Sequence, residues 1–265
     1  MSNLVGMNQK LAHLYEDYFV NIQPILDEEL LEFSTPLLLK VSETYENAKL
    51  KVMIVGQETY EFYGKYGAFL QNHSSVEYAQ DIYTKFVKEE SENYHSPFWD
   101  YINRLSEGSD FSWIWNNVFK LETVEYLSDE KYLGEKVSLS KLNTKKKYRH
   151  YRHLIDKIKL LQKDIFLKEL EILKPDVVIF FTGNPYDSLF MDWQFDTQND
   201  FYQDIPEALE MGIDKWKFGR LSSPLLPVKT FRTYHPNYLR RVSKKIMTPE
   251  QKDRIFDFLK AQIMQ

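Results

Sequence analysis

Apolar positions at helical spacing, Leu11, Leu14, Tyr15, Tyr18 and Phe19, predict a helix over residues 7–32. In "LKVMIVGQ" (Leu50–Gln57) the periodicity disappears into a short apolar run ending at a glycine, the pattern of a buried parallel strand. Helical spacing returns over 76–90 and 97–106. "FSWIWNNVF" (Phe111–Phe119) is rich in strand formers and predicts a second strand. A basic segment leads into "DKIKLLQKDIFLKELEILK" (Asp156–Lys174), a long helix stopped by Pro175. "DVVIFFTG" (Asp176–Gly183) is the clearest strand, and "PVKTFRTY" (Pro227–Tyr234) is the last. A closing helix over Thr248–Ile263 carries Thr248 at its cap and Pro249 in its first turn.

Strands separated by helices imply an α/β chain whose mainly parallel sheet is covered by helices on both faces. Ligands of such sheets bind at the carboxyl ends of the strands. Three polar clusters begin where a predicted strand stops: Gln57-Glu58, Asn116-Asn117 and His235. The expectation is that all three face one crevice. No repeat or Gly/Ser linker divides the chain.

Composition narrows the chemistry. The chain of 265 residues has ordinary apolar (43%) and charged (28%) fractions and no cysteine, which excludes disulfides, thiolate zinc sites, iron–sulfur clusters and a cysteine nucleophile. There is no apolar run of membrane length and no secretory signal pattern, so a cytoplasmic protein is expected. The net charge of −5 conceals two basic segments. Lys141–Lys163 holds nine cations and one acid, Asp156, and Arg220–Lys245 holds seven cations and no acid. Basic segments in an acidic protein suggest a localised anionic partner, although solvated faces have the same composition. In "KKKYRHYRH", Lys145, Lys146 and Lys147 precede tyrosines and histidines interleaved with cations, which fits a nucleic-acid surface or a solvated helix start equally. His150 and His153 lack matched carboxylates for a metal, and "FTGNPYD" has too few glycines for a phosphate cradle.

Four segments taken together resemble the uracil-DNA glycosylase superfamily. "VGQETY" is similar to that family's first motif, an apolar strand ending in Gly-Gln-Asp-Pro-Tyr-His. "TYHPNYLRR" resembles its last, a His-Pro pair opening a DNA-penetrating loop with a leucine four residues after the histidine. "WIWNNVFKLE" resembles the strand that delivers a base-reading asparagine, and "LKPDVVIFFTG" the family's Leu-Lys-Pro segment with its apolar strand and glycine. Their order and spacing fit over roughly residues 48–260.

The resemblance implies a three-layer α/β/α fold around a central four-stranded, mainly parallel sheet over residues 48–265. Residues 1–47 would be a helical extension packed on it. It implies a monofunctional DNA glycosylase that flips a uracil-like or modified pyrimidine base and hydrolyses its N-glycosidic bond without metal or cofactor. Glu58 would stabilise the sugar cation and orient water. His235 would donate a hydrogen bond to the departing base, assisted by the backbone N–H of Gln57. Asn116 or Asn117 would read the base edge, Phe69 would stack on it, and Tyr60 would exclude a methyl group. Leu239 would wedge into the vacated space beyond Pro236, Asn237 and Tyr238, and Arg240 and Arg241 would hold phosphates.

The chain departs from the family pattern at Glu58 (for aspartate), Thr59 (for proline) and Glu61 (for histidine). The longer carboxylate arm puts the catalytic geometry in question. Residues 61–93 would reshape the pocket for a bulkier base, which suits removal of a modified pyrimidine from foreign DNA, an antiphage role. A weak or inactive nucleic-acid-binding member and a nucleoside hydrolase are the alternatives. The expected partner is DNA, single- or double-stranded, bound by a monomer.

Overall fold

A computed structural model of the chain describes residues 3–28, 31–58, 62–64, 66–72, 75–108, 111–120, 123–126, 152–193, 195, 200–241 and 247–264. In chain order the elements are α1 (Asn3–Glu28), β1 (Leu31–Phe33), α2 (Glu43–Asn47), β2 (Lys51–Gly56), α3 (Tyr66–Asn72) and α4 (Val76–Lys85). There follow α5 (Pro97–Ser106), β3 (Ser112–Asn117), β4 (Thr123–Tyr126), α6 (Arg152–Leu173) and β5 (Val177–Phe180). The chain continues through α7 (Asp187–Asp192), β6 (Tyr202–Gln203), α8 (Pro206–Leu209), β7 (Phe218–Leu221), β8 (Lys229–Thr233), α9 (Pro236–Arg241) and α10 (Pro249–Met264). No described helix is long and apolar enough to cross a membrane.

The protein is α/β, and it divides into two compact units that interleave along the sequence. The first comprises Met1–Lys40, Gln57–Lys85 and Asn116–Leu173; the second comprises Val41–Gly56, Phe86–Trp115 and Lys174–Gln265. The 47 residues expected as an extension are therefore shared between the two.

In the first unit α1 packs on α6. Leu11, Leu14, Tyr15, Tyr18 and Ile22 form the buried stripe of α1, and Ile158, Ile165, Phe166, Leu170 and Leu173 that of α6. The helix read over 7–32 ends at Glu28, and the residues from Leu31 instead pair as β1 with β4, antiparallel, with Leu31 opposite Tyr126. "LLEF" is a good helix sequence locally. Tertiary pairing and the burial of Phe33 override that preference.

The second unit is built on a sheet of order β3-β2-β5-β8-β7-β6. β2, β5 and β8 run parallel, with Val52 opposite Val177 and Val177 opposite Lys229. Val52–Val55 and Val177–Phe180 are wholly buried, which explains their unbroken apolar runs. The expected four-stranded, mainly parallel sheet is corrected here: the sheet has six strands and is mixed, because β7 runs antiparallel to β8 and β6 antiparallel to β7. These strands left little trace in the sequence. β6 has two residues, and β7 contains a glycine and an arginine. Gly219 is required there, since a Cβ would lie 2.7 Å from the Lys215 carbonyl oxygen.

The helix read over 97–106 is α5, capped by Ser96, whose hydroxyl accepts the Trp99 N–H at 3.3 Å. The closing helix α10 begins with a reciprocal cap. Thr248 Oγ1 accepts the Gln251 N–H at 3.2 Å, and Gln251 Oε1 accepts the Thr248 N–H at 2.9 Å. Both helices pack their apolar faces against each other within this unit.

Candidate active site

The end of β8 is assembled from the second unit alone. Arg232 has no exposed surface. Its guanidinium donates to both oxygens of Asp187 (2.7 and 2.8 Å through one nitrogen), to the Trp216 carbonyl at 2.6 Å and to the Asn184 side chain. Burial raises the Asp187 carboxyl, and the arginine opposes that shift. One of the seven cations in Arg220–Lys245 is thus internal, and it clamps β8 to the turn that follows β5.

That turn carries Gly183 at φ 67° and ψ 177°, a region essentially closed to other residues. Its N–H donates to the Thr233 carbonyl at 3.1 Å, and a Cβ on it would meet Tyr234 Cδ1 at 3.2 Å. The Tyr234 ring lies against this glycine and hydrogen-bonds the Asn184 side chain, and burial raises its hydroxyl pKa.

His235 occupies the cap position of α9. Its carbonyl accepts the N–H groups of Tyr238 (2.8 Å) and Leu239 (3.0 Å), and Pro236 fills the first helical position, where no N–H is needed. Its Nδ1 accepts the Asn237 N–H at 3.2 Å. The ring stacks on Phe98 with centroids 5.2 Å apart and planes within 9°. Burial pushes the imidazole pKa down to about 4. At neutral pH the ring is therefore uncharged, and because Nδ1 is an acceptor the proton sits on Nε2. This is a histidine prepared to donate one hydrogen bond.

The rest of the turn differs from expectation. Leu239 is 4% exposed and belongs to the core, whereas Tyr238 is 45% exposed. A wedge has to stand clear of its own fold, so Leu239, read from the sequence as the penetrating side chain, does not present itself as one. The projecting residue is Tyr238, whose ring centroid lies 5.0 Å from that of Tyr234. Pro236 is buried and Asn237 partly exposed. Arg240 and Arg241 continue α9, with side chains outside the described residues.

In the first unit, Gln57 and Glu58 directly follow β2 and are both partly exposed, and the Gln57 carbonyl accepts the Phe119 N–H at 3.1 Å. Phe69, the expected stacking ring, is 6% exposed and packs among Phe19, Tyr66 and Tyr78 at centroid distances of 5.9–6.1 Å. It is a core residue of this unit, so its faces are already covered. Tyr60, Lys145, Lys146 and Lys147 lie outside the described residues.

The two asparagines at the end of β3 are distinguished by a network the sequence did not announce. Lys120 and Glu169, both with no exposed side-chain surface, form an ion pair at 2.7 Å. Tyr15 donates to Glu169 Oε1 at 2.5 Å and Asn116 Nδ2 to Oε2 at 2.8 Å. Asn116 Oδ1 accepts both Lys120 Nζ (2.5 Å) and the Asn117 N–H (2.8 Å). Tyr15 also accepts the Leu39 N–H, and Gln162 accepts the Lys120 N–H. Burial lowers the Lys120 pKa, an effect Glu169 opposes; burial first and Glu169 second raise that of Tyr15. The amide of Asn116 is thereby committed inside the protein, and Asn117 beside it is buried as well, at 1% exposed. The available signal was Glu169 itself, a charge standing in the apolar stripe of α6 beside Phe166, Leu170 and Leu173.

Searches against protein-family models and against curated proteins return no match for this chain.

Proposed function

We propose that this protein is a DNA glycosylase hydrolysing the N-glycosidic bond of a flipped uracil-like or modified pyrimidine base, with Glu58 and His235 as its catalytic pair. A three-layer α/β/α arrangement and a cytoplasmic, monomeric state belong to the same reading. The observation that carries it is the condition of His235: uncharged, stacked on Phe98, with Nδ1 occupied and Nε2–H left to donate. A cationic imidazole would transfer its proton or repel the sugar cation. A neutral one lowers the energy of the departing base as negative charge accumulates on its oxygen. The sequence resemblance supplies the remainder.

In the proposed reaction the C1′–N bond breaks with both electrons leaving on the base, and positive charge develops on the sugar. The Glu58 carboxylate stabilises that charge and accepts a proton from the water whose oxygen bonds to C1′. His235 Nε2–H holds the anionic base oxygen until the base is protonated by solvent. Asn117 offers an amide edge to the pyrimidine, its backbone fixed by the bond from its N–H to Asn116.

The test is base release from oligonucleotides carrying uracil, hydroxymethyluracil, hypoxanthine or glucosylated hydroxymethylcytosine. Wild type, Glu58→Gln and His235→Ala are compared. Release of at least one base by wild type, reduced about 100-fold or more in each variant, is the expected result. Thermal melts of the variants verify that each still folds. No release from any of the four, with DNA still bound, would replace this reading with that of a binding module.

A further inference from the structure

We infer that Tyr234 and Tyr238 form a stacking platform for unpaired bases of single-stranded DNA. The inference rests on the glycosylase reading for DNA as the partner, and adds the strand form and the side chains that meet it. Tyr234 is held rigidly: Gly183 lies under its ring, Asn184 bonds it, and the Arg232 guanidinium is 6.0 Å from its centroid. Tyr238 lies beside it at 5.0 Å, tilted by 40°, and is 45% exposed. A large ring left open to water, as Tyr238 is, beside a half-buried and fixed one, as Tyr234 is, supplies a sequence-tolerant stacking surface at little entropic cost.

The sequence at the platform suits a polyanion: Arg240 and Arg241 follow Tyr238 by two and three residues in α9, and residues 220–245 hold seven cations and no acid. The strand form follows from which side chain projects. Entry into a duplex calls for a narrow wedge standing clear of the fold, and the aliphatic candidate, Leu239, is buried. A duplex also hides its base faces within the stack, whereas a single strand exposes them to two adjacent rings.

Binding of undamaged, fluorescently labelled single-stranded and duplex oligonucleotides is measured by anisotropy at two salt concentrations. Wild type, Tyr238→Ala and Tyr238→Phe are compared. Tyr238→Ala is expected to weaken single-strand binding about 5- to 100-fold with its salt slope unchanged, since phosphate contacts remain. Tyr238→Phe should stay within about 2-fold of wild type. Duplex binding should change little in either variant.

Single-strand affinity unaltered in Tyr238→Ala, an equal loss on duplex, or no binding of either form would overturn the inference. The two readings fail separately. Tyr238-dependent binding without base release sinks the glycosylase and spares the platform. Base release with wild-type binding by Tyr238→Ala does the reverse.

Discussion

The ends of β3 and β8 present the same sequence signal, an apolar strand running into polar residues, and the protein uses them differently. At β3 the polar pair turns inward. Asn116 is absorbed by the Lys120–Glu169–Tyr15 network, and Asn117 is buried beside it. At β8 the inward-facing work falls to Arg232, the penultimate residue of the strand, while Tyr234 and His235 after it stay partly exposed. Both ends need a buried cation to fix the backbone. The difference lies in its partner's surroundings: Glu169 is wholly buried, whereas Asp187 keeps 22% of its side-chain surface exposed. A buried pair of the first kind is costly to break, because the surviving charge has no water to turn to.

The largest effect is therefore expected at β3. Lys120→Met leaves the Glu169 carboxylate with two neutral donors and no cation. It should lower the free energy of unfolding by about 3–5 kcal/mol in urea denaturation. Lys120→Met combined with Glu169→Gln removes both charges while keeping the shape, and should recover more than half of that loss. A single-variant loss below about 1 kcal/mol would mean that water reaches Glu169, and the contrast between the two strand ends would disappear.

The difference between the ends also explains what could be read from the chain. The central strands were legible because burial on both faces leaves an unbroken apolar run, as in Val52–Val55. α5 and α10 were legible through their caps, Ser96-Pro97 and Thr248-Pro249. β1 was not, since its pairing with β4 is a tertiary event written over a locally helical sequence. The same holds for the site. His235 and its turn could be located from a His-Pro pair after a strand, but the direction each side chain takes is set by packing. Leu239 and Phe69 were assigned outward roles and lie inside. Arg232 was counted among the free cations and is satisfied within the fold. Nothing local distinguished Asn116 from Asn117, because their difference is created by Glu169, 53 residues downstream of Asn116.

A second, smaller effect sharpens the β8 side. The folded-state pKa of His235, about 4, lies below its ordinary value of 6.5. The unfolded chain therefore binds more protons between these values, and the stability associated with the neutral ring is complete above pH 6.5 and lost as pH falls toward 4. The loss amounts to about 2–3 kcal/mol by pH 4. It should be visible as a difference between wild type and His235→Gln in urea melts run at pH 7.5 and pH 4. If the two lose stability in parallel, the imidazole is not desolvated and its readiness to donate a neutral hydrogen bond falls with it.

The smallest effect tests how the β8 end holds its aromatic platform. Gly183→Ala places a Cβ where φ is 67° and ψ is 177°, and sets it 3.2 Å from Tyr234 Cδ1. The backbone term alone costs about 1–2 kcal/mol. The contact with Tyr234 can be relieved only by moving that ring, because the glycine N–H remains tied to the Thr233 carbonyl. Two readouts should therefore change together: a lower melting temperature, and a weakening of single-strand DNA binding by a few-fold although residue 183 carries no charge and no aromatic group. A Cβ introduced at another positive-φ glycine, Gly212→Ala at φ 70° with nothing closer than a glutamine side chain at 3.9 Å, should lower the melting temperature and leave DNA binding untouched. Equal binding losses in both variants would show that general destabilisation, and not the seat of Tyr234, governs affinity.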